Sequence, residues 1–140
     1  MYSCDLVHLS VTDSGIGLGF AQLVFDAVTH EHDMRFALGK PGARDSQALR
    51  IGLTFFQSRL PTSAEKAGVL CPQIIVDGTP LFANPAPGSL TLTASLFDVI
   101  RSLGSRRTLD EIASLNRSSD PMSVVSVLLP FSPPATALGE

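Results

Sequence analysis

The sequence predicts an α+β fold in which an antiparallel β-sheet of five to six strands is followed by C-terminal helices. Apolar and polar residues alternate with a period of two through much of residues 5–96, which is typical of a sheet with one buried face. The period becomes helical near residue 105. We expect residues 1–140 to form a single domain, with an irregular tail at 129–140 because Pro133 and Pro134 prevent regular structure there.

The first two predicted strands form an N-terminal hairpin. Residues 5–12 place Val7, Leu9 and Val11 on one side of a strand. The glycine-rich residues 13–17 can adopt the positive φ angles of a hairpin turn. Residues 18–25 are then the returning strand.

A meander is predicted to follow this hairpin. Residues 33–40 and 49–55 alternate on either side of a turn at Pro41-Gly42, and residues 89–96 alternate again. The long connection between the last two of these segments contains the turn pair Asp77-Gly78. These segments complete the sheet of five to six strands.

Helices are predicted in the C-terminal third. Thr108 and Glu111 have the spacing of a capping box, and an apolar stripe at helical spacing follows them. Asp120-Pro121 suits a second helix start, although the β-branched stretch that follows also suits a strand. Residues 96–103 fit either a helix ended by Gly104 or a continuation of the preceding strand, and we favour the strand.

Composition excludes several classes of protein. No apolar run approaches the roughly 20 residues that cross a bilayer, and the N-terminus lacks the features of a signal peptide, so we expect a cytoplasmic protein without a membrane partner. Two cysteines, Cys4 and Cys71, are too few for a disulfide scaffold. The net charge of −3 requires any nucleic-acid site to be local.

The sequence offers no convincing catalytic or metal site. It contains no nucleophile elbow and no cysteine in an activating setting, so we expect neither enzymatic activity nor a cofactor. His30 and His32 would share one face of a strand and could bind a metal, but no third ligand is evident. A solvated loop or strand edge is the favoured interpretation of His30-Glu31-His32-Asp33, and no metal is expected.

The polar face of the predicted sheet is the strongest candidate for function. An ordinary solvated face is the simplest interpretation, but such a face usually carries more Lys and Glu. Small hydroxyls and arginines suit contact with phosphates and with bases that are splayed out of an RNA loop. The candidate RNA-binding residues on this face are Arg35, Arg50, Thr54, Thr91 and Thr93.

The order of features resembles the coat proteins of single-stranded RNA bacteriophages, the levivirus family. The closest local likeness lies in residues 35–41 and 50–55, and in residues 90–93 leading to 107–111. The resemblance implies an intertwined homodimer with a continuous sheet, which assembles into an icosahedral shell. It also implies that the inner sheet face binds an RNA hairpin and represses replicase translation, with Arg35, Arg50 and Thr54 as the leading contacts. Such a protein assembles in the bacterial cytoplasm and resides in the virion, and in some relatives cysteines in the loop that holds Cys71 join neighbouring subunits.

Two alternatives stay open at this point. One is a small dimeric α+β domain that binds a ligand or catalyses a reaction, which would need a concave pocket with convergent polar groups. The other is a phage head or tail completion protein without RNA binding.

Overall fold

The computed structural model describes residues 17–120, 127, 129 and 131–140, and helices predominate in these ranges. The predicted sheet of five to six antiparallel strands followed by C-terminal helices is wrong, because two long helices precede a small mixed sheet. The elements are α1 (Leu18–Ala37), α2 (Gln47–Ala67), β1 (Gln73–Val76), β2 (Thr79–Pro80), β3 (Thr91–Ala94), α3 (Leu96–Leu103), α4 (Leu109–Ser114) and β4 (Asn116–Arg117).

The segments 18–25, 33–40 and 49–55 were predicted as strands, but they lie largely within α1 and α2. Residues 18–37 contain only three β-branched residues, so they lack the composition that favours a strand. The residues that α1 buries recur at helical spacing: Ala21, Phe25, Val28, Thr29 and His32. The helical period therefore decides which side chains of this segment reach the core.

Helix α2 has clear signals at both ends. The Ser46 hydroxyl accepts a hydrogen bond from the backbone N–H of Leu49 at 3.3 Å, which caps the N-terminus. Gly68 ends the helix in the left-handed conformation, at φ 68°. The helix buries Leu49, Leu53, Phe56, Leu60 and Ala64.

Within the described residues, four short strands form one sheet in the order β2-β1-β3-β4. β1 and β2 are an antiparallel hairpin whose two-residue turn is Asp77-Gly78, as predicted, and both residues have positive φ, at 48° and 82°. β1 and β3 are parallel, and β3 confirms the core of the predicted strand at 89–96. The sheet is therefore mixed rather than antiparallel.

Helix α3 follows β3 directly, so the favoured continuation of the strand through residues 96–103 is wrong and the helical alternative is right. The Ser95 hydroxyl caps α3 by accepting from the N–H of Asp98 at 3.1 Å. The predicted capping box of α4 is confirmed. Thr108 Oγ1 accepts from the N–H of Glu111 at 3.1 Å, and the Glu111 carboxylate accepts from the N–H of Thr108 at 2.7 Å.

One hydrophobic core joins these elements. Phe25 of α1 belongs to it, with its ring edge-on to Phe56 of α2 at a centroid distance of 4.6 Å. Gly52 permits this contact, because a Cβ at that position would lie 3.2 Å from the Cα of Phe25. The two helices are thus in close contact at Phe25 and Gly52, where a larger residue than glycine would meet the backbone of α1.

Several predictions fall outside the described residues. These are the first strand at 5–12, most of its hairpin turn at 13–17, and the regular structure that follows Asp120-Pro121. No helix in the described part of the chain has the length and hydrophobicity to span a membrane. Cys71 is partly buried against the core, and its disulfide stays a prediction.

Candidate functional site: a cavity at the C-terminal end of α1

The five predicted RNA contacts do not share a sheet face. Arg35 is on α1, Arg50 and Thr54 are on α2, and only Thr91 and Thr93 lie on a strand. The Thr54 hydroxyl donates to the backbone carbonyl of Ile51 at 2.7 Å, as in an ordinary helical turn. Because the sheet that would have joined them is absent from the described residues, their contact with RNA stays a prediction without a common surface to support it.

A cavity of about 220 Å³ lies where the last turns of α1 meet α3 and the C-terminal tail. The connection between α1 and α2, residues 38–46, forms one of its walls. Its lining residues are His32, Arg35, Phe36, Gly39, Pro41, Gly42, Arg44, Phe97, Gly139 and Glu140. This is a concave site with convergent polar groups, which the ligand-binding alternative requires.

His32 is the most unusual residue of this lining. It is only 4% exposed, and its Nε2 has no hydrogen-bond partner among the described residues. Its ring packs edge-on against Phe97, with the centroids 4.9 Å apart. Burial, followed by the charge of Arg101, lowers the pKa of His32 below its usual 6.5, so the imidazole is neutral at pH 7.

Arg44 supplies a cation to the lining of the cavity. Its guanidinium carbon lies 4.4 Å from the centroid of the Phe97 ring, which is a cation–π contact. No carboxylate of the described residues forms an ion pair with Arg44. The preceding residue, Ala43, has φ 54°, a left-handed conformation that costs an L-residue roughly 1–2 kcal/mol. The loop is therefore held in an unfavourable backbone conformation immediately before Arg44.

The other charges in the lining are neutralised. Arg35 Nε lies 2.7 Å from the carboxylate of Glu31, one turn earlier on α1. The side chain of Glu140 accepts from Arg101 Nε at 2.7 Å and from Arg107 Nη1 at 3.2 Å. Arg44 is consequently the one lining cation that no described carboxylate neutralises.

A buried network of ion pairs includes Glu140 of the cavity lining. Arg101 of α3 is completely buried and donates to the Thr29 carbonyl at 3.1 Å, to Asp33 at 2.7 Å and to Glu140. Arg106 donates to the second oxygen of Asp33 at 3.1 Å. The network joins α1, α3 and the tail, and Glu140 of this network is also a lining residue of the cavity.

The pKa of Asp33 is shifted by its contacts in this network. Burial alone would raise its pKa, but hydrogen bonds and charge from Arg101 and Arg106 outweigh burial and hold the pKa below its usual value. Asp33 is therefore ionised at neutral pH and can form ion pairs with both guanidinium groups.

The histidines of the segment His30-Glu31-His32-Asp33, which were considered as metal ligands, lie on different sides of α1. His30 is exposed and lies 3.5 Å from Asp26, whereas His32 is buried beside the cavity. The two imidazoles would share one face only on a strand, because on a helix residues two apart point in different directions. Across the described ranges, no three His, Cys, Asp or Glu side chains are arranged to hold a metal ion.

The chain matches no protein-family model, no curated protein and no solved structure. Its resemblance to phage coat proteins therefore stays a prediction.

Proposed function

We propose that this domain binds a small organic molecule in the cavity at the C-terminal end of α1. The observation that carries the proposal is His32, a buried lining residue whose Nε2 has no hydrogen-bond partner among the described residues. Buried polar atoms nearly always have a hydrogen-bond partner, and an unmade bond costs roughly 1–3 kcal/mol. A polar atom of a ligand would supply the missing partner.

The size of the cavity limits the ligand. Its volume of about 220 Å³ is below the range of roughly 300–1,000 Å³ that is typical for drug-sized molecules. It corresponds to about seven water molecules at their liquid volume of roughly 30 Å³ each. The ligand is accordingly a compact metabolite with one ring or a short branched chain, and the rings of Phe36 and Phe97 provide apolar contact for it.

A fragment screen followed by two histidine variants tests this proposal. Fragments would be screened by the chemical shifts of ¹⁵N-labelled protein, and binders are expected to move the resonances of residues 32–44 and of Phe97. His32→Leu should weaken their binding at least tenfold. It should leave the protein folded, because replacing an unpaired polar group by an apolar one of similar size is close to neutral.

His30→Leu is the matched control, because His30 lies on the same helix with its side chain 59% exposed to solvent. This variant should bind fragments like the unmodified protein. Shift changes that occur only away from the cavity would refute the proposal, as would equal binding by the two histidine variants.

The coat-protein function was predicted from an antiparallel sheet with an RNA-binding face, and the described residues form a small mixed sheet instead. It stays a prediction, together with the homodimer and the RNA partner. Size-exclusion chromatography monitored at 260 and 280 nm tests all three, because a coat protein would elute as a large particle that contains nucleic acid.

A further inference from the structure

We infer that the ligand of this cavity is a monocarboxylate with a compact apolar body, and that Arg44 binds its carboxylate. The inference rests on the proposed function and specifies the chemistry of the ligand. It depends on three features of the lining: a cation and a neutral imidazole nitrogen that have no ion-pair or hydrogen-bond partner within the described part of the chain, and aromatic walls.

The charge of the lining favours one anionic group. Of the cations that line the cavity, Arg35 is paired with Glu31 at 2.7 Å, whereas Arg44 has no ion-pair partner among the described residues. The planar guanidinium of Arg44 can donate two parallel hydrogen bonds to a carboxylate. A single cation is matched by a carboxylate, which carries one negative charge, better than by a phosphate monoester, which carries nearly two.

The position of Arg44 favours a site close to the apolar wall. Its guanidinium lies over the Phe97 ring at 4.4 Å, and the imidazole of His32 lies 4.9 Å from the centroid of the same ring. The guanidinium of Arg107, which is paired with Asp98 and Glu140, is a more distant neighbour of that ring at 5.6 Å. Arg44 and His32 therefore lie against the same phenyl group. A ligand placed beside this ring can present its carboxylate to Arg44 and one oxygen to His32.

His32 suits a hydrogen bond to a neutral or anionic oxygen. A neutral imidazole carries one N–H, and the tautomer with its proton on Nε2 can donate to an acceptor in the cavity. Because His32 is almost fully buried, water would not compete for this hydrogen bond. This donor adds directionality to the charge of Arg44.

The apolar part of the lining determines the rest of the ligand. Phe36, Pro41 and Phe97 line the cavity together with backbone at Gly39 and Gly42. Aromatic rings and proline offer contact area without further hydrogen bonds. Benzoate and 3-methylbutanoate are therefore suitable probes, since each combines a carboxylate with a body of appropriate size.

Isothermal titration with matched probes tests the inference. Benzoate should bind the unmodified protein at least tenfold more tightly than benzamide, which has the same shape without the charge. Arg44→Gln should weaken benzoate binding by about ten- to a hundredfold, to the level of benzamide. Arg50→Gln is the matched control, because Arg50 is an exposed arginine of α2 outside the cavity lining, and it should leave benzoate binding unchanged.

The outcomes separate this inference from the proposed function. Equal binding of benzoate and benzamide, or unchanged benzoate binding by Arg44→Gln, overturns the assignment of a carboxylate while the cavity remains a ligand site. Phenyl phosphate that binds tenfold more tightly than benzoate overturns it in favour of a phosphate. If no fragment in the wider screen moves the cavity resonances, the proposed function fails and the inference fails with it.

Discussion

Replacing Arg101 with methionine should cost about 3 kcal/mol of the free energy of unfolding. Arg101 is completely buried and binds Asp33, Glu140 and the carbonyl of Thr29. Breaking a buried charge pair by removing one partner costs roughly 3–5 kcal/mol, because the remaining charge is left unpaired in the interior. Methionine replaces the aliphatic stem of arginine and lacks the guanidinium, so the loss measured would come mainly from the ionic partners that are left unpaired.

The lower end of that range applies here for two reasons. Each carboxylate keeps a second arginine, since Arg106 stays 3.1 Å from Asp33 and Arg107 stays 3.2 Å from Glu140. The side chain of Asp33 is also 32% exposed, so water compensates part of its charge.

Urea denaturation followed by circular dichroism at 222 nm measures this cost. Arg106→Met is the matched control, because Arg106 contacts the same Asp33 from a position with its side chain 28% exposed, and it should cost about 1 kcal/mol. If Arg101→Met costs less than its control, the reasoning about the buried network is wrong.

Three further predictions concern packing, a buried amide and pH. Gly52→Leu should destabilise the protein by about 2 kcal/mol in the same urea assay, because the added Cβ would lie 3.2 Å from the α1 backbone. Gly19→Leu is the control and should not destabilise the protein, because no atom lies within 4 Å of a Cβ added there. Gln73→Leu should cost about 3 kcal/mol, because the amide of Gln73 pairs with both the N–H and the carbonyl of buried Phe82; a loss below 1 kcal/mol would contradict this role. Since arginine contacts outweigh burial and lower the pKa of Asp33, its charge stabilises the fold above about pH 4 and this contribution is lost as the pH falls through the lowered value. The stability difference between the unmodified protein and Asp33→Asn should therefore be constant above about pH 5 and shrink in more acidic urea titrations, and a difference that is the same at pH 6 and pH 3 would exclude this linkage.

The local signals in the sequence were reliable where one residue pair determines the backbone. Asp77-Gly78 predicted a tight turn, because both positions need positive φ, and Thr108 with Glu111 predicted the start of α4. Each of these signals is complete within a few residues. Neither depends on which side of the segment faces the core.

The two long helices could not be recognised from periodicity alone. α1 carries apolar residues on several sides, with Phe20 and Leu23 exposed by 54% and 69% while Phe25 is buried. A segment of this kind fits a period of two as well as a period of 3.6. The cap at Ser46 and the ending at Gly68 were better evidence for α2, because together they delimit a segment far longer than an ordinary strand.

The cavity was even less accessible to sequence analysis. His32 and Arg44 are brought together by Phe97, which lies more than 50 positions further along the chain. The segment around His32 was recognised as a polar cluster, but its interpretation as a strand edge or loop assigned the wrong neighbours to it. Nothing in residues 101–107 except the abundance of arginine indicated that they form an internal network.

The connection between the two long helices has a practical consequence for engineering. Residues 38–46 provide Gly39, Pro41, Gly42 and Arg44 to the cavity lining, yet none of them is buried in the core. Under the proposed function, part of the ligand contact therefore lies in a stretch of chain that the core does not bury. A combinatorial library confined to residues 39–44 could be searched for new ligands while the cap at Ser46 and the packing of the core are left intact.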